Sequence, residues 1–254
     1  MIASTSKISI LRFFLNVLKG FLYLIASIIF KFDKKDPFEI LISEAFYAPW
    51  KVDIDFQTFY KKIKKLTMLD HVRLYTIWDN IKNVKNIDGD LIEVGSWRGG
   101  VSMLMGQKLL FEKSQKKVFS YDTFHGVVKS SKLDPFYKNN EHNEADLDEY
   151  KENLEKLKLD NIRIYSGIYP DDFLSNINPH TRYSLAHIDV DTYQSAYDSF
   201  KFIWDKMSVN GIFIFDDYGF HQTSGIRLCV DDIRKNYDVS FLYLTCGQAV
   251  LIKK

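Results

Sequence analysis

Asp90-Leu91-Ile92-Glu93-Val94-Gly95-Ser96-Trp97-Arg98-Gly99-Gly100 is the stretch that decides the fold. An apolar run closes on an acid and a glycine, and the apolar Val101–Phe111 follows at once. This reads as a strand, a glycine-bearing turn and a helix whose first turn offers free N–H groups to a ligand. The glycines at 95, 99 and 100 do not match the dinucleotide spacing G-x-G-x-x-G. A second apolar run, Lys117–Tyr121, ends in Asp122-Thr123-Phe124, an acid 29 residues after Glu93. An acid there suits the two ribose hydroxyls of an adenosine ligand, and a plain turn aspartate is the alternative reading.

Two aspartate clusters lie downstream, His187-Ile188-Asp189-Val190-Asp191-Thr192-Tyr193 and Phe215-Asp216-Asp217-Tyr218-Gly219. Each closes an apolar run that reads as a buried parallel strand, Tyr183–Ile188 and Gly211–Phe215. Carboxylates at the carboxyl ends of neighbouring strands project into the crevice where open α/β sheets bind ligands. Clustered acids raise one another's pKa values unless a cation neutralises them. Oxygen ligands of this kind suit a hard divalent ion such as Mg²⁺. The competing reading is a pair of solvated strand-to-helix turns with aspartate N-caps.

The E-x-G-x-x-x-G turn resembles motif I of the S-adenosylmethionine-dependent methyltransferases. The wider set of motifs resembles the macrocin O-methyltransferase family, metal-dependent enzymes that methylate sugar hydroxyls on natural products. The matching stretches are Thr67-Met68, Gly89–Gly100, Tyr121-Asp122-Thr123-Phe124-His125-Gly126, Ile188–Ser195, Gly211–Gly219, and Gly225-Ile226-Arg227 with Val230-Asp231-Asp232. They run in the family's order over residues 66 to 252.

The resemblance implies a donor site and a metal site. Asp189, Asp216 and Asp217 would ligate Mg²⁺, and Asp189 or, second, Asp191 would accept the acceptor's proton. Glu93 and Gly95 would line the amino-acid and sugar portion of S-adenosyl-L-methionine, beside Trp97, Gly99 and Ser102. Asp122 would take the ribose. Gly167 and Ile168 would hold the adenine, by backbone N–H groups and apolar contact, since Ile168 stands where the family often has an acid. Thr67 and Met68 resemble the family's cofactor-lid pair, and an N-cap threonine before a helix Leu69–Asn83 is an equal reading. The resemblance further implies a sugar-hydroxyl acceptor and a homodimer.

The chain has 254 residues with a net charge of +1, enough for one α/β domain with a full core and no basic field for nucleic acid. Two cysteines, Cys229 and Cys246, exclude a disulfide scaffold and fit a reducing compartment. The sequence divides into an apolar amphipathic segment (1–35), a helical cap (36–88) and a methyltransferase-like domain (89–254). From Ile8 to Phe30 polar residues recur every three or four positions, and the longest charge-free run, Gly20–Phe30, is short for a bilayer span. Three readings stay open for residues 8–30. One is an interfacial helix on an anionic membrane, with Lys31, Lys34 and Lys35 following; the others are a packing or dimer helix and a spanning helix. The corresponding location is the cytoplasm, at the inner face of the membrane under the first reading.

From Asp90 onward strands and helices alternate. Strands are expected near 90–95, 117–122, 162–166, 183–188, 211–215, 239–244 and 247–252, and helices near 99–112, 145–157, 170–177, 192–207 and 223–236. The fold class is therefore a Rossmann-like α/β fold, a seven-stranded and mostly parallel sheet with a terminal antiparallel hairpin, as in the class I methyltransferases. The polar stretch from Phe124 to Asp146 is expected to wall the acceptor site, with His125, His142, Asp134 and the later His221 as candidate contacts. A non-catalytic module that binds cofactor or partner and uses the aspartates structurally is the alternative function.

Overall fold

The computed structural model describes residues 13–25, 47–175 and 180–254. The chain divides into two compact units, Met1–Ala48 and Pro49–Lys254. In the first, residues 13–25 are helical (α1) and their large apolar side chains, Phe13, Phe14, Phe21 and Leu24 among them, are exposed. Among the described residues no helix is long and apolar enough to cross a membrane. The rest of the expected 8–30 segment lies outside the described residues.

The second unit begins with helices α2 (Pro49–Val52), α3 (Ile54–Ile63) and α4 (His71–Asn83). Asp53 caps α3, accepting from the Phe56 N–H, and takes the indole N–H of Trp78 as well. The expected helix from Leu69 with Thr67 as its cap is corrected: Asp70 is the cap, accepting from the Val72 and Arg73 N–H groups. An ionised carboxylate fills that role well because helix N-termini favour negative charge. Thr67 instead closes a local turn, its Oγ1 accepting from the Leu69 N–H at 3.1 Å.

Strands β1 (Asp90–Val94), β2 (Val118–Asp122), β3 (Ile162–Ser166), β4 (Tyr183–Ile188), β5 (Met207–Phe215), β6 (Val239–Tyr243) and β7 (Ala249–Lys253) form one sheet in the order β3-β2-β1-β4-β5-β7-β6. All neighbours run parallel except β7, which is antiparallel to both β5 and β6. The expected hairpin is present, but its second strand inserts beside β5 and leaves β6 at the edge. Burial explains the choice: Ala249, Val250 and Leu251 are buried, whereas alternate β6 residues face solvent.

Helices α5 (Gly100–Phe111), α6 (Leu147–Leu157), α7 (Tyr193–Trp204) and α8 (Ser224–Asn236) make the crossovers. One face of the sheet packs Leu91, Leu185 and Ile214 against Phe56, Trp78 and Leu104. The other packs Ile92, Ala186 and Phe213 against Phe200, Ile226 and Val230. Strands buried on both faces give the continuous apolar runs seen in the sequence. The helix expected near 170–177 reduces to a 3₁₀ turn, Asp171–Phe173, and residues 176–179 lie outside the described set.

No helix or strand forms between Asp122 and Leu147. This long loop is pinned by Asp134, whose Oδ2 accepts from the Ser131 N–H and hydroxyl while Oδ1 accepts from the Tyr193 N–H at 2.8 Å. Asp134 is buried in that role, so it fastens the loop to the first turn of α7 rather than facing an acceptor.

Candidate active site

β4 and β5 are paired in register, Ile188 opposite Phe215, so the next residue on each strand, Asp189 and Asp216, leaves the sheet side by side. The Asp216 N–H still bonds the Ile188 carbonyl at 3.1 Å, which fixes that register up to the carboxylates. One oxygen from each of Asp189, Asp216 and Asp217 lies within 4.8 Å of the others. Asp216 and Asp217 are buried and Asp189 is half-buried. Oδ2 of Asp217 is buried without any hydrogen-bond partner. Burial, then the neighbouring carboxylates, pushes Asp189 and Asp217 well above the usual carboxylate range. Burial pushes Asp216 the same way, yet His187 and Arg73 hold it below that range. Three convergent carboxylates with an orphaned oxygen fit a hard dication such as Mg²⁺, which takes oxygen ligands and offsets the mutual repulsion.

Asp191 follows in a left-handed conformation, φ 62°. Burial raises its pKa to about 6, against the opposing influence of a hydrogen bond with the Tyr137 hydroxyl and the nearby His142. The long loop thus comes down over the carboxylates through Tyr137 and His142, and Phe136 packs on His221 with ring centroids 4.8 Å apart.

On the donor side several expected contacts have other partners. Glu93 is buried, with Oε2 accepting from the Ser102 hydroxyl and Oε1 3.0 Å from His187 Nδ1. Both Glu93 and Ser102 are therefore committed to the protein. A Cβ at Gly95 would collide with the Asp189 carbonyl oxygen, and one at Gly99 with the Tyr150 ring. Both glycines have positive φ, so chain packing demands them, whatever ligand approaches. Asp122 accepts from the Trp97 N–H and the Phe124 N–H, each at 2.7 Å, and so shapes the turn after β1. Burial raises the Asp122 pKa against those backbone bonds.

The adenine-side expectation is corrected in part. The Gly167 N–H bonds the Asp122 carbonyl, and the Ile168 N–H bonds Asp172 Oδ2 at 2.7 Å. Both amides expected to hold adenine are therefore engaged within the chain. The Gly100 N–H bonds the Leu66 carbonyl at 2.9 Å, which places Thr67 and Met68, the expected lid pair, at the start of α5, with Met68 exposed.

The sequence profile of the macrocin-O-methyltransferase (TylF) family matches residues 61–241. The chain belongs to the macrocin O-methyltransferase family. It is 29% identical over 164 residues to the 8-demethyl-8-(2,3-dimethoxy-alpha-L-rhamnosyl)-tetracenomycin-C 4'-O-methyltransferase of Streptomyces olivaceus, covering 61% of each chain. It is 26% identical to the demethyldecarbamoylnovobiocin O-methyltransferase of Streptomyces niveus, covering 68% of this chain and 70% of that one. Against the mycinamicin III 3''-O-methyltransferase of Micromonospora griseorubida the identity is 25%, over 61% of this chain and 63% of the relative. The fold matches the O-methyltransferase NovP with a TM-score of 0.66 at 23% identity, covering 74% of this chain and 82% of that one.

Within this macrocin O-methyltransferase family member, four site residues escape sequence reasoning. Arg73 bonds Asp216 Oδ2 through Nη1, Asp70 through Nε and the Met68 carbonyl through Nη2. Gln248 Nε2 donates to Asp216 Oδ1 at 2.8 Å. His187 Nε2 lies 3.6 Å from the same oxygen. Burial alone would lower the His187 pKa, but the Asp216 and Glu93 carboxylates hold it up at about 9. Tyr137 is the fourth, set in the loop over Asp191. His187 carried a signal, a polar residue inside an apolar strand run; the other three carried none.

Proposed function

We propose that this chain transfers a methyl group from S-adenosyl-L-methionine to a sugar hydroxyl, with a divalent ion at Asp189, Asp216 and Asp217. The observation that carries the reading is the convergence of three carboxylates within 4.8 Å, one of which, Asp217, carries a buried oxygen without a partner, in a chain of this family. The acceptor class is supported by relatives whose names specify positions on a sugar-bearing product, although the chain spans only 61% of the length of the first of them.

When bound, the sulfonium donor supplies an electrophilic methyl group and Mg²⁺ lowers the pKa of an acceptor hydroxyl. The chain's own residues do the rest. Trp97, Gly99 and Asp122 frame the donor crevice at the carboxyl ends of β1 and β2, with Asp122 toward the ribose and Thr67-Met68 above. Asp191 takes the acceptor proton, because Asp189 loses basicity when it serves as a ligand. Its pKa near 6 leaves Asp191 ionised at neutral pH while keeping it a competent base. The long loop, through Phe136 and Tyr137, walls the acceptor together with His221 from the turn after β5, and excludes water.

The exposed apolar residues of α1, followed in sequence by Lys31, Lys34 and Lys35, support peripheral contact with an anionic membrane at its cytoplasmic face. Flotation with phosphatidylserine vesicles, full chain against a chain starting at Lys31, tests this, and equal soluble fractions end it. A homodimer rests on family resemblance, and light scattering decides it.

The central experiment incubates the protein with labelled donor, Mg²⁺ and a panel of rhamnosides and nucleotide sugars. Label should appear on one sugar oxygen and vanish after chelation. Undiminished transfer by protein shown by mass spectrometry to be metal-free would sink the assignment.

A further inference from the structure

Glu93 and His187 stand opposite each other in the β1–β4 pairing, in the layer that also holds Leu91, Leu185 and Ile214. Both are buried, at 1% and 0% exposure. Ionic pairs of this kind add little net stability, because desolvation consumes most of the attraction, and apolar side chains of similar volume commonly do as well. Packing therefore gives no reason for this pair. The outward end of the pair does. His187 Nδ1 is engaged by Glu93 at 3.0 Å, whose other oxygen is held by Ser102, so the imidazole cannot turn. Nε2, buried and without a hydrogen bond of its own, is aimed at Asp216 Oδ1 at 3.6 Å. Gln248 bonds that same oxygen from β7's leading edge.

We propose that His187 is a positioning residue for the dication site, fixed by Glu93 and setting the plane of the Asp216 carboxylate. The inference rests on the metal reading above and assigns Glu93 a different task from donor contact. Ser102, Glu93, His187 and Asp216 form one buried line from the first turn of α5 to the carboxylate cluster. Outer-shell partners that orient ligands typically change metal affinity by roughly 10–100-fold when removed.

Calorimetry with Mn²⁺ and, separately, S-adenosylhomocysteine distinguishes the possibilities on full-length protein. His187→Asn should weaken Mn²⁺ by roughly 10-fold or more while leaving S-adenosylhomocysteine affinity within a factor of about three. Glu93→Gln should weaken Mn²⁺ in the same direction, and the double variant should lose less than the product of the two, because the residues act in series. Should His187→Asn not fold, Glu93→Gln reports on the same line. Mn²⁺ affinity within twofold of the parent in either folded variant overturns the proposal. A parent protein that binds no Mn²⁺ overturns the metal reading, and this inference with it; a parent that binds Mn²⁺ indifferently to both variants overturns the inference alone.

Discussion

Arg73, partly exposed, and the buried Asp216 form an ion pair that joins α4 to the carboxyl end of β5. The same guanidinium reaches the Met68 carbonyl and stands over the Phe220 ring at 5.1 Å. One cation thus touches the segment before α4, a proposed metal ligand and the turn after β5. Removing one partner of a buried pair costs about 3–5 kcal/mol, since the remaining charge is stranded. For Arg73→Ala the loss should sit near the lower figure, because Gln248 still serves Asp216. Saturating Mg²⁺ should recover much of that loss by neutralising the same carboxylate. Urea unfolding with and without Mg²⁺ measures both, and equal losses would make the pair purely structural.

Asp217 offers the orphaned oxygen, so Asp217→Asn removes charge without removing volume. Turnover should fall on the order of 100-fold or more, the scale of losing one group that stabilises developing charge. Affinity for S-adenosylhomocysteine, read by calorimetry, should persist. A parallel loss of both would place Asp217 in the donor site.

Asp122→Ala should weaken S-adenosylhomocysteine by about 1–3 kcal/mol, the range for charge-assisted hydrogen bonds. Asp122→Asn should lose less, because its remaining carbonyl oxygen still accepts from one of the Trp97 and Phe124 amides. Unchanged affinity in Asp122→Ala would remove the ribose assignment.

The carboxylates set a pH dependence with a definite sign. Asp189 and Asp217 have raised pKa values in the fold, and Asp191 is raised to about 6. The folded chain then holds protons that the unfolded chain has released, so their contribution to stability falls as pH rises above the ordinary aspartate value. Asp216, which is lowered, contributes in the opposite sense and only at acid pH. Mg²⁺ must displace the extra protons, so its stabilising shift in melting temperature should grow from pH 5 to pH 8. A shift independent of pH would contradict the cluster as its binding site.

Gly95→Ala meets the Asp189 carbonyl with a left-handed backbone, φ 86°. Strain plus collision should cost about 2 kcal/mol or more. Because the colliding atom belongs to Asp189, Mn²⁺ affinity should fall together with stability. Thermal melts paired with calorimetry check the coupling, and a stable variant with intact Mn²⁺ binding would refute it.

Much of the fold was legible because its signals are local. β1, β2, β4 and β5 are apolar runs closed by acids, and a strand buried on both faces needs no partner information to be recognised. The order of β6 and β7 was less legible, since the exchange depends on which strand buries more against β5. The turn after β1 was read correctly as strand, turn and helix, yet the reason for its glycines was not. Gly95 makes room for Asp189 and Gly99 for Tyr150, residues far along the chain.

The sequence by itself determined the α/β class, the family and the position of Asp189, Asp216 and Asp217 at strand ends, because periodicity and residue chemistry are written within a few neighbouring positions. Only the tertiary structure decided what surrounds those carboxylates. Arg73 comes from 143 residues away and Gln248 from 32, and Glu93 meets His187 across the sheet. A hydrogen bond across elements depends on how helices and strands pack, and that geometry leaves no trace in the spacing of the residues that make it.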